Sequence, residues 1–180
     1  MVRLMRKFFG KWLAARRIVL PAEPAWRAIV AEARTPDWYL AGAVPDSIDG
    51  RFDMVALVAS LVLVRAEALE SDSQFQVALV ERFVDDMDGS VRELGVGDMV
   101  VSKHIGRMTG ALGGRLGAYR SALAEDAPEE ALGDALLRNL YRGAHPGEAA
   151  LAWAQARVRR LHGLLQTRTL ADLEAGNLGV

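Results

Sequence analysis

The chain has no cysteine, which excludes structural disulfides and thiolate metal sites and makes a reducing compartment the expected setting. Histidine is scarce. His104, His145 and His162 stand far apart, with no HExxH-like spacing, so no metal centre is expected. No apolar run approaches the ~20 residues that span a bilayer. The longest, Met54 to Val64, is bounded by Asp53 and Arg65 and reads as a buried central helix. Alternation with period two is missing, which argues against a sheet. Glycine-rich phosphate loops after a strand are missing too, and Ser60, Ser102 and Ser121 lack a nucleophile-elbow context. Gly95-Val-Gly97 is a lone G-x-G whose following Asp98 suits a helix N-cap. No RNA- or DNA-binding motif occurs, so no specific nucleic acid is expected. These absences predict a protein without catalytic residues, bound metal or cofactor.

What is present is a helical pattern. Hydrophobic residues make up 51% and the net charge is −1, a globular balance rather than a disordered one. After Pro21 and Pro24, helix is predicted over Pro24–Arg34, followed by a turn-rich loop over Thr35–Gly50. Further helices are predicted over Arg51–Leu69, from a Ser71/Gln74 capping box to about Asp88, and over Asp98–Leu123. Pro128 then opens a helix ending near Arg142, Glu148–Leu165 is helical, and a short helix begins near Thr167. The fold class expected is all-α: one helical bundle domain, residues 21–180, with an N-terminal appendage over residues 1–20. Arg157, Arg159, Arg160 and Arg168 read as a solvated basic face near the C-terminus.

Charge is unevenly placed. Residues 1–17 carry six basic residues and no acid, so a whole-chain charge of −1 leaves −7 on the rest. Leu4, Met5, Phe8, Phe9 and Trp12 share one helical face, while Arg3, Arg6, Lys7, Lys11 and Arg17 lie largely on the other. This is the pattern of a helix lying on an anionic membrane surface. Arg3, Leu4, Arg6, Lys7, Phe8, Lys11 and Trp12 are its expected membrane contacts. A helix packing its aromatic face on the domain, or a transit peptide, fits the same residues. Peripheral placement on the inner face of a membrane is the expected location, the cytoplasmic face in a bacterium or the matrix face in a mitochondrion.

The stretch 81–123 is the most informative. Asp85, Asp86, Asp88 and Glu93 form an acidic cluster that fails the calcium-loop pattern, because Gly97 stands where the final Glu is needed. An ion-paired turn or a partner contact through Asp86 and Asp88 remains. Gly106, Gly110, Gly113 and Gly117 then fall in one strip of the next helix. Each glycine costs a helix interior about 1 kcal/mol relative to alanine, and close approach of another backbone is the usual compensation. An internal helix and a partner helix are both open as that neighbour. Lys103, Arg107 and Arg120 flank the strip, and Val101, Ile105, Met108, Leu112, Leu116, Tyr119 and Leu123 form an apolar face about 130° around from it. Lys103, Gly106, Arg107, Gly110, Gly113 and Gly117 are therefore candidate partner contacts.

Two ordered blocks resemble the ubiquinol–cytochrome c chaperone family. In the first, Arg34, Pro36, Trp38, Tyr39, Val44, Pro45, Asp46, Gly50, Arg51 and Phe52 match its A-R-x-P opening, aromatic pair, V-P-D and G-R-F. In the second, Asp86, Met87, Asp88, Arg92, Glu93, Gly95, Val96, Gly97 and Asp98 match its acidic core, and Gly114, Arg115, Ala118 and Tyr119 match the helix that follows. Together they span about residues 24–123. Val58 departs from the family, which often has His there. The resemblance implies a non-enzymatic assembly chaperone that holds cytochrome b, or an early bc1 intermediate, during maturation of the bc1 complex. It also implies a partner subunit and ribosome contact, as in mitochondrial relatives. Two rivals are a helical enzyme and a haem- or small-molecule-binding module at the membrane surface, for which His104, Met108 and Tyr119 are the local ligand candidates.

Overall fold

The computed structural model describes residues 22–69, 73–93 and 98–180, and side chains at 22–69, 74–86 and 110–180. Its elements are α1 (Glu23–Ala33), α2 (Pro36–Leu40), α3 (Ile48–Ala68), α4 (Ser73–Glu93), α5 (Asp98–Ala122), α6 (Ala131–Asn139), α7 (Glu148–Gln166) and α8 (Leu170–Glu174). No strand occurs among the described residues, and the helices form one bundle, as the pattern predicts.

The bundle is built around α3. Met54 to Leu63 are buried without a break, so this helix is enclosed on every side. It packs against α5, α1, α7 and α4, with α6 bridging α5 and α7. Burying each large aliphatic side chain contributes about 1.5–3 kcal/mol, so the apolar run is the main stabilising element. α3 begins earlier than predicted, because Ser47 caps it by accepting a hydrogen bond from the Gly50 amide at 3.1 Å. Gly50 is required there: a Cβ would lie 1.9 Å from the Pro45 carbonyl oxygen.

Two further boundaries differ from the sequence pattern. α2 lies inside the predicted loop, and Pro36 opens it. Five residues are too short to display a helical period. α6 starts at Ala131 rather than Pro128, because residues up to Glu130 close as turns, with Ala131 N–H bonded to the Pro128 carbonyl. At the C-terminus, Thr169 and Asp172 form a capping box for α8. Gly176, at φ +77°, lets the chain pass the Pro24 carbonyl where a Cβ would come within 2.6 Å.

Candidate functional site

The segment between α2 and α3 is pinned from several sides. Trp38 is fully buried and donates from Nε1 to Glu32 at 3.2 Å. Glu32, only 4% exposed, also receives Arg157 at 2.9 and 3.1 Å. Arg157 is thereby committed to a buried pair, which corrects its reading as part of a solvated basic face. A glutamate 125 residues away from its arginine gives no local sequence signal. The Val44 amide returns to the Trp38 carbonyl at 3.1 Å, and the Tyr39 hydroxyl donates to the Ala33 carbonyl at 2.9 Å. Gly42 packs under Trp153, and its carbonyl receives the Tyr141 hydroxyl at 2.6 Å. Burial pushes the Tyr141 phenol up to about 12, so it remains a donor at any physiological pH. Against this rigid frame, Leu40 and Ile48 are 80% and 71% exposed.

One turn further along α3 lies Asp53, with no exposure. It receives Arg115 of α5 and Arg142 of the α6–α7 connection, each at 2.6 Å. Arg142 also reaches Asp49 at 2.7 Å and holds a left-handed backbone, φ +53°. Its bond to Asp53 raises its pKa above the ordinary arginine value. The Arg115 guanidinium sits 5.5 Å from the Phe52 ring centroid. A buried carboxylate shared by two arginines fixes α5 and the α6–α7 connection to the start of α3. Sequence reasoning passed over Asp53, treating it only as the boundary of the apolar run. Its place one turn inside a helix that buries every side was the available signal.

The sequence candidates fall into three groups. Arg3, Leu4, Arg6, Lys7, Phe8, Lys11, Trp12 and the paired alternatives for that segment lie outside the described residues, as do the side chains of Asp88, Lys103, His104, Gly106, Arg107 and Met108. Asp86 is half-buried, 3.7 Å from Arg82, which also reaches Glu23 at 2.9 Å. Gly110, Gly113 and Gly117 are described, and a Cβ at any of them would meet nothing within 4 Å. Of the two neighbours left open for this stripe, an internal helix is not found against these three positions among the described residues. The apolar face of the same helix, by contrast, is inward: Leu112 and Tyr119 are buried. Tyr119 is sealed in the core with its phenol pushed well above the ordinary range by burial. A cleft lined by Asp134, Leu137, Arg138, Arg142 and Gly143 is open to solvent. Ser60 bonds its own helix at the Ala56 carbonyl, 2.6 Å away. Among the described residues, no group of histidines and carboxylates could hold a metal ion.

A protein-family model described as ubiquinol–cytochrome C chaperone matches residues 41–177. The chain belongs to the ubiquinol–cytochrome c chaperone family. The match continues beyond the 24–123 stretch that carried the sequence resemblance. A search of curated proteins finds no match. Among solved structures, the crystal structure of the Cbp3 homolog from Brucella abortus is similar, with 32% identity, a TM-score of 0.71, and coverage of 97% of this chain and 94% of that one. The residues by which the chain resembles the family are largely the ones that hold this site together. Trp38, Tyr39, Gly50 and Tyr119 are packing and anchoring groups, Arg51 bonds Asp46 at 2.7 Å, and Arg115 lies over Phe52 and bonds Asp53. These residues are packing, capping and ion-pairing groups of the bundle.

Proposed function

We propose that this chain is a non-enzymatic assembly chaperone that holds cytochrome b, or an early intermediate containing it, during maturation of the bc1 complex. The observation that carries this reading is the family match across residues 41–177. The full-length similarity to the Cbp3 homolog from Brucella abortus supports it. The client contact is assigned to the glycine face of α5, with Gly106, Gly110, Gly113 and Gly117 flanked by Lys103 and Arg107, and with Asp86 and Asp88 nearby in sequence. The lack of any neighbour over Gly110, Gly113 and Gly117 among the described residues favours that assignment. So does the commitment of the opposite face of α5 to the core.

The basic amphipathic segment, through Arg3, Leu4, Arg6, Lys7, Phe8, Lys11 and Trp12, would keep the protein at an anionic membrane, where the client emerges. Among the described residues no helix is long and apolar enough to cross a membrane, which fits a peripheral role at the inner face. Contact with a partner subunit or the ribosome belongs to the same reading by family analogy. Deleting the gene should lower assembled bc1 complex, measured on native gels, while transcripts of its subunits stay unchanged. Normal levels of assembled complex in the deletion strain would refute the proposal.

A further inference from the structure

We infer that the α2–α3 loop is a second client contact, one that receives an uncharged apolar helix of the membrane subunit being assembled. The inference rests on the chaperone reading and adds to it a surface separate from the glycine face. Four large hydrophobic residues are exposed among the described residues: Leu40, Ile48, Val77 and Val180. Two of them, Leu40 and Ile48, stand at the two ends of one short connection and are the most exposed, at 80% and 71%. Between them Ala41, Ala43 and Pro45 are exposed as well.

A loose loop can fold such residues inward. This one is held by Trp38, Tyr141, Trp153 and the Ser47 cap, and Ala43 keeps a left-handed backbone at φ +50°. A surface fixed in advance loses less conformational freedom when it binds. Charge identifies the occupant. The segment from Leu40 to Asp49 contains two charges, Asp46 and Asp49, and each is already paired, with Arg51 and Arg142, both at 2.7 Å. An anionic bilayer draws unpaired lysine and arginine to its surface, and this segment offers none. A helix without charges meets apolar side chains here and leaves no ion unpaired.

The test uses the full chain, purified from its own cells in mild detergent, with cytochrome b as the co-purifying probe. Wild type is compared with the double variant Leu40→Ser/Ile48→Ser and with Val77→Ser as an exposed apolar control. The expected result is retention of cytochrome b by wild type and Val77→Ser, and a loss of roughly tenfold in the double variant, with thermal midpoints unchanged. Undiminished cytochrome b on the double variant overturns the loop contact and leaves the chaperone reading standing. Absence of cytochrome b from wild type overturns both. A double variant that keeps cytochrome b but loses sedimentation with phosphatidylglycerol vesicles, or has a smaller assembly size than wild type, overturns the inference and gives the patch to a bilayer or a second copy.

Discussion

At the scale of single residues, the glycines separate into two kinds that look alike in the sequence. Gly50 is enclosed by the Pro45 carbonyl, whereas Gly110 meets no neighbour among the described residues. Gly50→Ala should destabilise by about 3 kcal/mol or more, through a backbone clash that only unwinding the start of α3 relieves. Gly110→Ala should instead stabilise by about 1 kcal/mol, because it removes a helix-interior glycine without filling an occupied space. Urea denaturation midpoints of the two variants check both signs. Titration adds a second residue-scale expectation. Burial lowers the pKa of His162 below 6.5. The folded form therefore binds a proton less readily than the unfolded chain, and stability is lost as pH falls below about 6.5. Thermal melts between about pH 7 and pH 5 should show this slope, and His162→Gln should flatten it. Below that range the carboxylates of Glu23, Asp46 and Asp172, held low by Arg27, Arg51 and Thr169 respectively, add a further acid-side loss.

At the scale of elements, the long helices were legible and the short or tertiary features were not. α3 announced itself by an unbroken apolar run, and α7 by its helical pattern over Glu148–Leu165. α2 was hidden because five residues cannot show a period, and α6 starts later than Pro128 because residues up to Glu130 close as turns. The glycine strip could be read as one face from its spacing, but its neighbour depends on tertiary placement that spacing alone does not carry. The same holds for Asp53, whose two arginines come from separate elements far along the chain. These two arginines share one carboxylate, so their effects should not add. Arg115→Ala and Arg142→Ala, measured singly and together by urea denaturation, should show a coupling of about 1 kcal/mol. Arg120→Ala, which breaks a partly exposed pair with Glu67, should cost about 1 kcal/mol or less and add independently.

At the scale of the whole molecule, two ordered sequence blocks were enough to point to the family, and the match over residues 41–177 establishes it. The blocks revealed kinship because they hold structurally demanding positions, such as Gly50, Trp38 and Arg115. They did not single out Leu40 and Ile48, since exposure is a property of the folded surface and leucine or isoleucine in a sequence reads first as core. Membrane recruitment is the expectation that belongs to the entire chain. Removing residues 1–17 takes away six basic residues and should abolish co-sedimentation with anionic vesicles. The full chain should bind less as salt rises, because screening weakens attraction to the surface. Unchanged sedimentation after the truncation would assign the segment another role.

The packing of Trp38 against Trp153, edge to face with ring centroids 5.4 Å apart, gives the loop an optical signature. Two indoles so close and so differently oriented couple their excited states, and the circular dichroism of the pair depends on their mutual angle. Trp153 also lies over Gly42, in the middle of the α2–α3 connection. A client that shifts that connection by even a small rotation would alter the couplet, so occupancy of the loop could be followed in solution without any label.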